Sequence, residues 1–458
     1  MPIRDDVNMR VLLINPPVFE MFKGTGWQRR QGYAVTPLGL LALAGPLMRD
    51  GHKVSILDMC VYPDNFSDAV KGFKPDIVGI TSMTHSINHV RGLAGAVKKI
   101  DPGIKVAIGG VHATVMSNEV AECQDVDWVI RGEGDFIMSK LPDIKERIVH
   151  CGIIHSMDDI PIPPYELLGS SNNYHISKFI SKESPMVYIE TSRGCYGKCT
   201  FCAKQVQGRM MRFKTIDRVL EEIRYVLSLG YREIQIADYT MAADKRRMVE
   251  FCERVISSKL KFSWHSSTGI RVDNANLEMF KLLKRTGCYR VSFGIESGSQ
   301  RILNSINKGV TLDQIRNAVK MAKQANIETA GFFMMAMPGE TEEDLKATIN
   351  FACELDLDVR KTPCFIVPFP GTEMTNLMKS RGQIKSYDWS KYNNFACARD
   401  LYDHDTLSWE VLERYHKLFM RRFTWRWGFL SRRFVVFVLT GKWKGFIEMA
   451  LVKLQVLK

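Results

Sequence analysis

The chain has 458 residues, 45% of them apolar and 25% charged, a balance that excludes a disordered or fibrous protein and suggests about three folding units. Eleven scattered cysteines, no apolar leader and no run of apolar residues long enough to span a bilayer exclude a disulfide scaffold and point to a cytoplasmic protein with reduced thiols. The net charge of +13 is uneven, since residues 411–458 carry eleven Lys or Arg against Glu413 and Glu448; this speaks against nucleic acid as a partner and for a local anion or membrane-surface contact.

Residues 1–150 alternate short β-branched runs with helical patterns. Strands are expected at Val11–Asn15, Lys53–Leu57, Asp76–Ile80, Lys105–Gly109 and Asp127–Arg131, with helices or helical turns near Pro37–Met48, Asn65–Gly72, Ser86–Ile100 and Thr114–Glu122. The pattern is that of an α/β domain with a doubly wound, flavodoxin-like parallel sheet. Such sheets bind ligands beyond the carboxyl ends of their strands. Here those ends carry Asn15, Thr81 and Thr84, Gly109, Gly110 and His112, and Gly132 and Glu133.

Residues 151–185, with Pro161, Pro163, Pro164 and a polar GSSNN stretch, read as a linker. A second series follows over 186–375. Its six strands are expected at Met186–Thr191, Glu233–Ala237, Lys261–His265, Arg290–Ile295, Glu328–Ala336 and Thr362–Val367, with helices between them. Six βα units make a partial barrel whose active site lies at the strand carboxyl ends. Residues 376–458 read as a helical extension, basic and aromatic toward its end. That tail, with Trp425, Trp427 and Trp443, fits either an interfacial helix at the inner membrane face or a cap packed on the barrel.

GCYGKCTFC directly follows the first barrel strand, so Cys195, Cys199 and Cys202 sit in a loop at the expected mouth. Four thiolates would close a 4Fe-4S cluster, whereas three leave one iron open to a small chelating ligand. Zinc would want a fourth ligand nearby, and no Cys or His lies between Cys202 and Cys252. His85 and His89, without a carboxylate or cysteine pattern beside them, read as surface histidines.

With VLLINPP, TPLGLLALAGPL, GGVHAT, RGEGD, GIESGSQRILNSINKG, MPGET and PFPGT, spread over residues 10–373, the chain resembles the radical S-adenosylmethionine (SAM) superfamily. Within it the resemblance is to the class with an N-terminal cobalamin-binding domain, typified by the anaerobic magnesium-protoporphyrin monomethyl ester cyclase. The resemblance implies three cofactors: a 4Fe-4S cluster, SAM and cobalamin. It implies that Phe201 supports adenine through its backbone, that Glu296 and Ser297 help hold SAM, and that Arg271 receives the methionine carboxylate. Relatives carry paired acids where this chain has Ala237-Asp238-Tyr239; Asp238 is the remaining candidate for proton or SAM contact, and Tyr239 for the substrate space.

The cobalamin signature Asp-x-His-x-x-Gly is degenerate here, with Cys60 and Pro63 in place of the imidazole and the glycine. Either cobalamin binds without a lower protein ligand or the domain only packs; the retained ligand-side loops favour binding. The expected function is radical functionalisation of an unactivated carbon by methyl transfer, the alternative being cyclisation, rearrangement or oxidation. The expected partners are a small, hydrophobic or lipid substrate and an external one-electron reductant.

Overall fold

The structure is a computed structural model that describes residues 8–17, 35–174, 181–359, 362–393 and 398–424. Its first sheet comprises β1 (Arg10–Asn15), β2 (Lys53–Asp58), β3 (Ile77–Thr81), β4 (Lys105–Gly109), β5 (Trp128–Arg131) and β6 (Ile148–His150). All six are parallel, in the order β2-β1-β3-β4-β5-β6. Val11 to Ile14 are completely buried. Val11 and Leu13 meet Leu40, Ala44 and Leu47 of the helix Leu38–Arg49 on one face, while Leu12 and Ile14 join the core containing Ile87, Val90 and Val97 on the other. A strand covered on both faces needs such an unbroken apolar run.

One local expectation differs from the structure. The three residues of β6 are too few to carry a periodic signal, and they extend the sheet beyond β5. Where a helix or helical turns are expected over Thr114–Glu122, the chain makes two turns, Val111–Val115 and Ser117–Ala121, separated by the non-helical Met116. The proline-rich connection is packed as well: Tyr165 and Tyr174 are buried, and their hydroxyls donate to Glu222 at 2.7 Å and Asp58 at 2.9 Å.

The second sheet runs in sequence order: β7 (Met186–Ile189), β8 (Glu233–Ile236), β9 (Ser263–Ser266), β10 (Cys288–Glu296), β11 (Glu328–Met335) and β12 (Cys364–Phe365). Every pairing is parallel, which gives the partial barrel. Its helices start at side chains that accept from their own first turn: Thr215, Asp244, Asn276, Thr311 and Thr341. One apolar core continues from the first sheet into the second. The helix Trp409–Thr424 packs on the barrel, with Phe419 edge-on to Phe333 at 5.3 Å and the Tyr415 hydroxyl donating to Glu342 at 2.6 Å. The rest of the basic tail, with Trp425, Trp427 and Trp443, lies outside the described residues. Among those residues no helix is long and apolar enough to cross a membrane.

Candidate active site

β7 ends at Ile189, and a two-residue antiparallel ladder, Ser192–Arg193 against Arg212–Phe213, forms a neck. The cysteine loop lies within it. Gly194 has φ +92°, and a Cβ there would stand 2.0 Å from the Met210 carbonyl oxygen, so only glycine admits this closure. Asp238, completely buried at the end of β8, accepts from Thr191 N at 2.6 Å, Thr191 Oγ1 at 2.5 Å, Ser192 N at 3.0 Å and Ser192 Oγ at 2.7 Å. The carboxylate expected to meet SAM or a proton is thus engaged in fastening the loop entrance.

Cys195 and Cys199 are half-buried and Cys202 is exposed. Burial raises the Cys202 thiol above its usual range, Lys204 opposes the shift, and the Cys199 and Cys195 thiols add to it. Cys202 thus feels both of the other thiols. Among the described residues no three His, Cys, Asp or Glu side chains close on a single ion. Three thiolates from one loop suit a 4Fe-4S cluster that keeps one iron open.

The space beside the loop is kept by Gly197, where a Cβ would lie 2.9 Å from Arg271 Nη1 and 3.4 Å from Cys195 Sγ. Lys204 donates to the Gly197 carbonyl, and the Arg271 guanidinium lies 5.0 Å from the centre of the Tyr196 ring. Asp273 holds Nε and Nη2 of Arg271 at 3.0–3.1 Å, which leaves Nη1 beside Gly197. Lys308 pairs with Glu296 at 2.7 Å and senses Cys199. Cations on this side suit an anionic cluster and a carboxylate ligand.

Glu296 sits at φ +65° where the β10–β11 register shifts. Ser297 turns inward, sharing a hydrogen bond with Thr348 Oγ1 at 3.0 Å and accepting from Ser299 N at 3.1 Å, so its hydroxyl is engaged inside the protein. Phe201 packs against the core. Tyr239 is 40% exposed, yet burial followed by Glu190 and Cys202 pushes its phenol up to about 12.

At the ligand edge of the first sheet, Asn15 Nδ2 donates to Asp58 at 2.9 Å and lies 3.7 Å from the Cys60 sulfur. Gly110 has φ +96°, with its Cβ position 2.7 Å from the Ser82 oxygen and 2.9 Å from Thr81 Oγ1. Ser82 Oγ donates to Gly109 O at 2.7 Å, and Gly132 N donates to Thr114 Oγ1 at 3.1 Å. Thr84 is buried, as is His85, which was expected on the surface; only His89 is exposed. The ridge around Ser82 encloses His85 because the chain turns there before the helix Ile87–Ile100.

His112 is completely buried, edge-on to Trp389 at 5.3 Å, and both its ring nitrogens are without a partner, as is His85 Nε2. Burial lowers both imidazoles to about 4. Orphaned polar nitrogens at a sheet's ligand edge fit a bound group rich in amides, such as cobalamin. Glu133 does not join them. Arg212 Nη1 and Nη2 donate to its two oxygens at 2.6 and 2.7 Å, and Ile154 N donates at 2.7 Å.

Several residues that shape the site were not singled out in the sequence: Arg193, Arg212, Asp135, Lys204 and Lys308. The motifs RGEGD and SINKG contain two of them, Asp135 and Lys308, but isolated charges in a motif ordinarily read as solvated surface.

Residues 189–352 match the Radical SAM superfamily and residues 29–141 the B12 binding domain. The chain is 33% identical to an uncharacterized methyltransferase of Pyrococcus horikoshii over 84% of this chain and 86% of that protein. It is 24% identical to the anaerobic magnesium-protoporphyrin IX monomethyl ester cyclase of Rubrivivax gelatinosus, covering 90% and 79%. Among solved structures, the radical SAM methyltransferase TsrM from Kitasatospora setae, with cobalamin and a 4Fe-4S cluster bound, superposes with a TM-score of 0.64 at 16% identity, covering 82% and 75%. With the thiol triad, the ligand-edge sheet and these likenesses together, the chain belongs to the radical SAM superfamily, in the class that carries a cobalamin-binding domain and works with a 4Fe-4S cluster, SAM and cobalamin.

Proposed function

We propose that this enzyme transfers a methyl group from SAM to an unactivated carbon of a small hydrophobic molecule. The reading is carried by one observation: the ladder that closes the cysteine loop is bonded through Arg193 and Arg212 to Asp135 and Glu133, which follow β5 at the ligand edge of the first sheet, so the loop of the thiol triad and that edge lie against one another.

Cys195, Cys199 and Cys202 would hold the cluster. When bound, the cluster supplies the electron that splits the sulfonium of SAM, and cobalamin carries the methyl group. Arg271, whose Nε and Nη2 are held by Asp273, would offer Nη1 to the methionine carboxylate of SAM. Lys308 neutralises Glu296 and adds positive charge near Cys199. Tyr239 presents its ring to the substrate, and its phenol keeps its proton at neutral pH.

The test is incubation of anaerobically reconstituted protein with cobalamin, a strong reductant and methyl-deuterated SAM. The expected products are S-adenosylhomocysteine beside 5′-deoxyadenosine. Finding 5′-deoxyadenosine alone overturns methyl transfer and favours cyclisation, the chemistry in the name of the Rubrivivax relative, or rearrangement or oxidation. A lipid substrate delivered at a membrane surface is part of the same proposal and rests on the composition of residues 425–458. Sedimentation with anionic vesicles checks it; recovery of the full chain in the supernatant discards the membrane contact.

A further inference from the structure

The neck of the cysteine loop is held from outside the barrel. Arg193, two residues before Cys195, donates to Asp135 through Nη1 at 3.0 Å and Nη2 at 2.8 Å, and its Nε reaches Glu190 at 2.8 Å. Its ladder partner Arg212 grips Glu133 with the same two-pronged geometry and also donates to the carbonyls of Ile154 and Gln207, each at 2.6 Å. Gln207 closes the ring by donating to Glu190 at 2.9 Å. The side chains of Glu133, Asp135, Arg193 and Arg212 are 1%, 6%, 7% and 3% exposed, so these are buried charges and not rim contacts.

Both carboxylates come from the turn after β5. Gly132 makes it possible, with φ +98° and a Cβ position only 2.6 Å from the Cys151 carbonyl oxygen. The chain leaves the ligand edge of the first sheet and, one and three residues later, grips both strands of the ladder that closes the cysteine loop.

We propose that Glu133 and Asp135 are positioning residues that fix the neck of the cysteine loop to the first sheet, holding the cluster site and that sheet's ligand edge in one register. The inference builds on the function proposed above but concerns the chain's own geometry. Buried ion pairs add little net stability compared with apolar packing. What a guanidinium fork adds is direction: two parallel hydrogen bonds fix the angle as well as the distance. Two forks on opposite strands of one ladder leave the neck no hinge axis.

The experiment uses the full chain reconstituted anaerobically with iron and sulfide, comparing wild type with Asp135→Asn, Glu133→Gln and Arg193→Lys. The control is Arg316→Gln, which breaks an exposed pair with Glu354 far from the neck. Iron content, the electron paramagnetic resonance spectrum of the reduced cluster, its reduction potential and the melting temperature are read for each. In Asp135→Asn and Glu133→Gln the signal is expected to broaden or split and the potential to move, while Arg316→Gln leaves both unchanged. Loss of iron from a variant that still melts with the control also supports the proposal. Wild-type spectra and potential in fully loaded Asp135→Asn and Glu133→Gln overturn it. If Asp135→Asn does not fold, Arg193→Lys, which keeps the charge but not the fork, is read by the same criteria. Hydrogen exchange over residues 194–211 gives a cofactor-free reading, expected to be faster in the neck variants than in the control; equal rates count against the proposal. A wild-type protein that binds no cobalamin would remove the methyl-transfer reading and leave this measurement decisive.

Discussion

Lys308 donates to Glu296 at 2.7 Å across the bare backbone of Gly294. A methyl group at residue 294 would stand 2.7 Å from Glu296 Oε1 and 2.8 Å from Lys308 Nζ. Both atoms are the far ends of flexible chains, so Gly294→Ala displaces the pair and not the strand. The expected result is a near-normal melting temperature with 5′-deoxyadenosine formation reduced about tenfold or more, since small misplacements at a reacting centre are costly. Wild-type SAM cleavage by Gly294→Ala would show that this pair has no part in placing SAM.

Asp238 makes a second prediction. Its carboxylate has four donors from Thr191 and Ser192 in a fully buried site. Asparagine would turn one accepting oxygen into an amide donor facing other donors, leaving buried groups unpaired. Asp238→Asn is expected to lose about 3 kcal/mol, read as a lower urea midpoint, and to retain less iron because the loop entrance is released. Unchanged stability and iron content would mean that the loop is set elsewhere.

Much of this was legible in the sequence because it depends on local chemistry. The apolar runs around Leu12 and Val187 mark strands buried on both faces, and Thr215, Asn276 and Thr311 mark helix starts through their capping side chains. The cysteine spacing names its own cofactor. Contacts made across long stretches of chain were not legible. Asp135 meets Arg193 over 58 residues, and Glu133 meets Arg212 over 79; no periodicity reports such a pairing. Burial misled in the same way: Glu133, Asp238 and Ser297 have the chemistry of ligand contacts, but each spends it inside the protein, and His85 lies under a turn that its helical spacing does not reveal.

The thiol triad is tested most directly by Cys195→Ala, Cys199→Ala and Cys202→Ala combined. Three thiolates are the fewest that hold the cluster with one iron open. Iron and acid-labile sulfide are expected to fall to background, and 5′-deoxyadenosine to disappear, while the melting temperature of the unreconstituted chain stays close to wild type because none of the three cysteines belongs to the apolar core. Continued reductive cleavage of SAM by this variant would place the chemistry at another site.

Stability should also fall in mild acid through His85 and His112. Burial holds both imidazoles at about 4 in the folded protein, below the ordinary 6.5. In the unfolded chain they take up protons below pH 6.5, while in the native state they stay neutral until about pH 4. Their stabilising contribution is therefore complete above pH 6.5 and is lost as pH falls through the window from 6.5 to 4. By pH 5 the loss is about 2 kcal/mol per histidine. Glu340 works in the opposite direction, because burial raises it to about 8, so its folded state gains relative stability as pH drops. Comparison with a His85→Gln, His112→Leu double variant cancels that term. Between pH 7.5 and pH 5 the urea midpoint of the wild type should drop further than that of the variant, and parallel pH curves would show that neither imidazole is held neutral by the fold.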